Sequence, residues 1–264
     1  MRKLLPTLLI LAIAAGAQAG VMMNFTDTFT DNADQNTPGK IHGGIDGTAW
    51  NTINTDAEVG GLLDDQGEAT SVSVDLGKET GEATTTIDWD ASGFIPNDLG
   101  TAFSTDIYDT NARSAIFVDD GGESGVSIAA RVSGLDAGTY DFYVVGRNTN
   151  NDGESNGYDA YDVFAGTVSA GSGETDYSEW SAANAMTNGP AYPDANTETW
   201  VDGENFAVVT LDVADGEDAV IVLEPTTDGE MRGFINTLQV VPEPTTMALL
   251  GLGGLSVLIR RRRK

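Results

Sequence analysis

An all-β sandwich is the fold class this sequence predicts. Three observations predict it: short runs of alternating apolar residues, clusters of Gly, Asp, Asn and Ser between them, and no long stretch of helical period across residues 20–241. A period of two sends successive side chains to opposite faces of a strand, so each run has one face to bury. Strands at this spacing stack in two layers rather than alternate with helices.

Residues 71–76, SVSVDL, set Val72, Val74 and Leu76 on one face. Residues 84–89 (TTTIDW) and 114–119 (SAIFVD) continue the series, and 126–132 (VSIAARV) aligns Val126, Ile128, Ala130 and Val132. Residues 139–147 send Tyr140, Phe142 and Val144 one way and Tyr143 and Val145 the other. Residues 161–168, 206–213, 219–225 and 233–241 complete the set, and the unbroken run Ala219 to Leu223 predicts a central strand buried on both faces. Between two of these runs, GLDAGTY at 134–140 predicts a tight hairpin connection whose glycines take positive φ. No Pro-rich or Ser-rich linker divides 20–241, so one domain is expected, with any binding function in the long loops 148–160 and 171–205.

Removing the first 19 of the 264 residues leaves 245, enough for a real hydrophobic core. The chain carries 41 acidic and 13 basic residues, a formal net charge of -28. Seven of the basic residues, Arg2, Lys3 and Arg260 to Lys264, lie at the ends, so the central region is more acidic still. Such a charge repels nucleic acid and excludes it as a partner. There is no cysteine, so an exported chain of this sequence has no disulfide to stabilise it. The one histidine, His42, lies in a glycine-rich loop and cannot by itself build a zinc site.

The termini speak to location. Arg2 and Lys3, an apolar run from Leu4 to Ala15, and small residues at Ala17 and Ala19 have the layout of a secretory signal peptide over residues 1–19, passed to the Sec translocon and cut after Ala19. At the other end, residues 245–259 form a short apolar segment predicted as a helix, below the ~20 residues that cross a bilayer core comfortably. The basic tail 260–264 stays on the cytoplasmic side by the positive-inside rule, leaving the upstream chain outside. Gly251, Gly253 and Gly254 weaken that helix, which suits a temporary hold in the inner membrane better than a permanent anchor.

Pro242, Glu243 and Pro244, the apolar segment, and Arg260, Arg261, Arg262 and Arg263 together resemble the PEP-CTERM sorting signal of bacterial exported proteins, over residues 242–264. The resemblance implies an exosortase, a membrane transpeptidase-like enzyme, that cuts near Pro-Glu-Pro and passes the ectodomain to the envelope or extracellular matrix. The two prolines keep the stretch extended and deny it backbone donors, which leaves it open to an enzyme. A plain single-span tail anchor is the competing reading. The ectodomain, in AWNTI, LLDDQGEATSVSVDL, GLDAGTYDFYVVGR and GFINTLQVV, is loosely similar to galactose-binding-like jelly-roll domains. That likeness implies a single jelly-roll-like antiparallel β-sandwich at 20–241 with an accessory role, and it carries no catalytic residues across.

Candidate sites are few. Asn148, Asn150, Asp152 and Asp159 have the alternating oxygen donors of a calcium loop, with Asn where the first Asp belongs and Asp where a longer Glu belongs. Asp64, Asp65 and Glu68 form a second acidic loop. No cofactor is required, and calcium is the one candidate ion. Trp180, Tyr192 and Trp200, with Arg147, supply aromatic faces and a donor for a sugar site, if they are not instead plugging the ends of the sandwich. Trp50 and Trp89 are expected inside. Asp88 and Asp90 are the neatest carboxylate pair for glycoside chemistry, yet an Asp-rich chain produces such pairs by chance. Serine nucleophiles lack a base, so no catalytic residue is expected.

The expected protein is therefore an exported, noncatalytic envelope or matrix component, structural or adhesive alongside surface polysaccharide. A carbohydrate-binding module and, behind it, a glycoside hydrolase are the alternatives.

Overall fold

In the computed structural model, residues 20–25, 49–80, 84–97, 115–118, 126–146, 160–187, 201–226 and 232–243 are described. Their regular elements are all strands. The first six are β1 (Val21–Phe25), β2 (Asn51–Ile53), β3 (Val59–Gly60), β4 (Ser73–Glu79), β5 (Thr86–Asp88) and β6 (Ile95–Asn97). Then come β7 (Ala115–Val118), β8 (Ile128–Ser133), β9 (Gly138–Val145), β10 (Tyr161–Ser169) and β11 (Glu174–Asp176). The last are β12 (Ala182–Met186), β13 (Ala207–Val213), β14 (Glu217–Pro225), β15 (Gly233–Ile235) and β16 (Thr237–Pro242).

One sheet has five strands in the order β13-β9-β16-β1-β2. A second has eight, ordered β11-β5-β4-β8-β14-β10-β12 with β3 beside β4, and a small third runs β15-β7-β6. Pairing is antiparallel except between β1 and β2, which run parallel with Met23 opposite Asn51. From β8 the chain passes to the other sheet at β9, back at β10, over again at β13 and back at β14. The result is the sandwich-like all-β architecture the periodicity predicts.

The core lies between the two large sheets. Val74 and Leu76 of β4, Ile128, Ala130 and Val132 of β8, and Ala219, Ile221 and Leu223 of β14 meet Phe142 and Val144 of β9, Val209 of β13, and Leu238 and Val240 of β16. These are the alternate residues that the sequence assigns to one face. In β14 the intervening Val220 and Val222 are also buried, in a second cluster on the far side of the sheet, so this strand has the two apolar faces its unbroken run predicts.

Two expectations are corrected. The segment 134–140 is not a hairpin: β8 and β9 belong to different sheets, and this segment carries the chain between them. Gly134 does take a positive φ of 75°. Beyond it, Leu135 is buried in the core and the Tyr140 hydroxyl donates to the Asp136 carbonyl at 2.8 Å, tying down the corner. The run 233–241 is not one strand either. It divides at Asn236, whose N–H donates to the Val145 carbonyl at 2.9 Å and whose carbonyl accepts from Phe25 N–H at 2.9 Å, so the break carries the chain from the small sheet into the five-stranded one.

The described residues fall in one compact unit, Ala19–Glu243. No helix among them is long and apolar enough to cross a membrane, and residues 245–259 lie outside the described set.

Candidate functional site

Two features stand out from the sandwich: the outer face of the eight-stranded sheet, and the strand that leads into the C-terminal segment.

The outer face is built from the residues that alternate with the core positions. On β4 these are Asp75, Gly77 and Glu79; on β8, Ala129 and Arg131; on β10, Phe164, Gly166 and Val168; on β14, Val220, Val222 and Glu224. Ordinarily this row would face water. Instead, β5 and β11 bring Ile87, Trp89, Tyr177 and Trp180 onto it, forming a small second core with Ala129, Val220 and Val222. Glycine makes the close approach feasible: a Cβ on Gly77 would stand 2.6 Å from the Trp89 ring, and one on Gly166 would stand 2.6 Å from Trp180.

Charged groups are woven into that apolar layer. Arg131 donates to Asp75 at 2.6 Å and to the Ser172 carbonyl, and its guanidinium lies 4.7 Å from the centre of the Trp89 ring. Trp89 Nε1 donates to Thr175 Oγ1 at 3.0 Å. Further along, the Tyr177 hydroxyl lies 2.8 Å from Glu79 Oε1, 2.9 Å from Glu224 Oε2 and 3.1 Å from Ser127 Oγ. A phenol has one proton to give, and two carboxylates surround it. Burial pushes the Glu79 carboxyl up, and the nearby Glu224 charge adds to the effect against hydrogen bonds from Ser127 and Tyr177. Both carboxyl groups accept from the Tyr177 hydroxyl, and the Glu79 carboxyl holds its proton more tightly than a free glutamate does. Burial raises the Tyr177 phenol as well, which keeps it protonated in this role.

The C-terminal strand is the other feature. β16 is central, with β9 on one side from Thr237 to Pro242 and β1 on the other from Thr237 to Val240. Pairing to β9 continues one residue past the strand, since Glu243 N–H donates to the Thr139 carbonyl at 2.9 Å. Donors along a strand point alternately to its two sides. The donor that proline lacks at 242 would thus have pointed away from β9, beyond the last described residue of β1 that pairs with β16.

Of the expected site residues, Pro242 is half-buried in β16 and Glu243 is exposed immediately after it. Pro244, Arg260, Arg261, Arg262 and Arg263 lie outside the described residues, as do Ala17 and Ala19. Trp180 is half-buried against Gly166, whereas Tyr192, Trp200 and Arg147 are outside the described set. The expected loop 171–205 contains two strands, β11 and β12, and β11 delivers Trp180 to the sheet. Trp89 is buried as expected, but in the outer cluster rather than the sandwich core, and Trp50 is half-buried. Asn148, Asn150, Asp152 and Asp159 fall outside the described residues.

In the second acidic loop, Asp64 Oδ1 accepts from the backbone N–H of Gln66 at 2.9 Å and of Glu68 at 2.8 Å, so that carboxylate closes a turn. Among the described residues, no group of three or more His, Asp or Glu side chains is placed to hold a metal. Asp88 Oδ1 likewise accepts from Asp90 N–H at 2.9 Å. The Glu79, Tyr177, Glu224 and Ser127 network had no signal in the sequence, because its members come from strands far apart in the chain.

Comparison with known proteins bears on the C-terminal feature. No curated protein matches the chain. Among solved structures, the K2 cleaved adhesin domain of Lys-gingipain is similar at 16% identity and a TM-score of 0.30, over 63% of this chain and 99% of that one, a likeness too loose to bear on function. Residues 240–263 match the PEP-CTERM protein-sorting motif. That match begins at Val240, inside β16, so residues 240–242 belong to both the motif and the sheet. The chain is thus an exported protein bearing a PEP-CTERM sorting motif that grows directly out of its last strand.

Proposed function

We propose that this protein is a noncatalytic component of the cell envelope or extracellular matrix, held briefly in the inner membrane by residues 245–259 and released from that hold by an exosortase. The observation that carries the reading is the sorting motif at 240–263, joined without a linker to a folded acidic domain. Its work is structural or adhesive, against surface polysaccharide. Calcium belongs to the proposal as a bridge between an anionic surface and anionic polymer, with Asn148, Asn150, Asp152 and Asp159 as its loop. A signal-peptide cut after Ala19 fits the fold, since β1 starts at Val21 and the Gly20 carbonyl accepts from Asp65 N–H at 2.7 Å.

The test is the intact mass and membrane fractionation of the native protein beside Glu243→Ala. The Glu243 side chain is exposed, so this substitution addresses recognition without disturbing the sheet. The expected wild-type mass lacks the basic tail, and the variant stays full-length in the membrane. A wild-type chain that retains Arg260 to Lys264 would make it a tail-anchored surface protein.

The carbohydrate-binding reading has one observation in its favour: Trp180 sits half-buried on the outer face of a sheet, within the same cluster as Phe164. Glycan-array binding lost on Trp180→Ala, with the melting transition retained, would support it.

A further inference from the structure

We propose that the outward face of the Trp180 ring seats a cation, and that its ligand is a polysaccharide bearing ammonium groups. The inference rests on the adhesive reading above, names the class of polymer met at this point of the sheet, and needs no calcium.

The sheet carries its own template for such a seat. On its outer face two tryptophans each rest on a strand glycine, Trp89 on Gly77 of β4 and Trp180 on Gly166 of β10. The first arrangement is complete. The Arg131 guanidinium lies 4.7 Å from the centre of the Trp89 ring, Asp75 holds that guanidinium at 2.6 Å, and Trp89 Nε1 donates to Thr175. The second has the glycine floor and the ring but no cation of its own. Among the described residues, the cations seated on rings are Arg131 on Trp89 and Lys78 on Phe94, and the Trp180 Nε1–H makes no hydrogen bond.

The attitude of the ring leaves a face to offer. A Cβ on Gly166 would stand 2.6, 2.7 and 2.8 Å from Cζ2, Cε2 and Cη2 of Trp180, three consecutive ring atoms at nearly one distance. Only a ring lying face-on to the strand gives that, so its other face turns away from the sheet. Phe164 and Val168, half-buried, flank Gly166 on the same strand, and Ala182, opposite Phe164 on β12, is exposed and small.

Charge then selects the ligand. Glu179, directly before Trp180, is exposed. Asp218 stands opposite Val168, and Asp162 opposite Glu224, so carboxylates lie along β10 on both sides of the ring. The nearest basic residue in register is Arg131, opposite Val220, which is itself opposite Gly166; its guanidinium is already paired with Asp75. An aromatic face in such a field attracts a cation. A protonated amino sugar satisfies both features, covering the indole with the C–H face of its ring and placing its ammonium among the carboxylates. A neutral sugar meets only the first, and an anionic polymer is repelled.

The test is calorimetric titration of the full chain in detergent, with a chelator present, using a glucosamine oligomer and its N-acetylated form of equal length. The amine form is expected to bind, less well as salt is added, and about fivefold more weakly to Trp180→Ala. Glu179→Gln, at an exposed position, is expected to weaken binding with an unchanged melting transition. Equal binding of the two oligomers would overturn the cation seat in favour of a neutral-sugar site. No binding of the amine form, or unchanged binding in both variants, would overturn the site. Adhesion of the same protein to an anionic polysaccharide with calcium restored reports on the underlying reading separately: if it persists while the amine form fails to bind, only the cation seat falls.

Discussion

Glu79, Tyr177 and Glu224 place two carboxyl groups and a phenol in one hydrogen-bonded line beneath aromatic cover. Glutamine at position 79 keeps an acceptor for Ser127 N–H and carries no charge. The direction of the pH effect follows from the raised carboxyl. A group that binds its proton more tightly when folded stabilises the fold fully below its unfolded value, near 4.5 here, and that contribution is lost as pH rises through the folded value. In urea titrations of the ectodomain, wild type should therefore lose more stability between about pH 4.5 and pH 7.5 than Glu79→Gln does, with the variant at least as stable near neutrality. Equal slopes would mean that Glu79 is ionised in the fold. By contrast, Tyr177→Phe leaves both glutamates without their shared partner and should lower stability by about 1–3 kcal/mol.

At the scale of elements, the corner between β8 and β9 shows how a single position can govern topology. Gly134 combines a φ of 75° with a location where a Cβ would stand 2.2 Å from the Ser71 carbonyl oxygen. Residues with a Cβ rarely adopt the first and none fits the second, and Ser71 Oγ donates to the Gly134 carbonyl at 2.9 Å, which holds the two segments together. Gly134→Ala should cost about 1–3 kcal/mol from backbone strain alone, with the steric clash adding to it, read as a lowered thermal midpoint. The periodicity of residues 126–132 and 139–147 made both flanking strands and their buried faces legible in the sequence. The sheet to which each belongs was not, because alternation states which side chains share a face and says nothing about which strand lies alongside. The outer cluster was hidden for a related reason. Gly77 and Gly166 look like weak points in their strands until Trp89 and Trp180 are seen resting on them. The C-terminal motif was legible because recognition there depends on contiguous residues, whereas its fusion with a strand was not.

For the molecule as a whole, the position of β16 makes the domain's end a structural part rather than a trailing piece. A chain of residues 20–243 should melt with the same cooperative transition as the precursor's ectodomain. One ending at Asn236 should not fold, since it loses Leu238 and Val240 from the core and the strand that joins β9 to β1. Circular dichroism melts of the two chains in parallel decide this, and a folded 20–236 chain would show β16 to be dispensable.

The pairing of β1 with β16 also bears on time. Val21 meets Val240, so among the described strands the first pairs with the last, and the middle of the five-stranded sheet is completed only when both are present. Closing so long a loop is slow, as is typical of folds dominated by distant contacts. The register of four residue pairs thus makes completion of the five-stranded sheet a late event in folding.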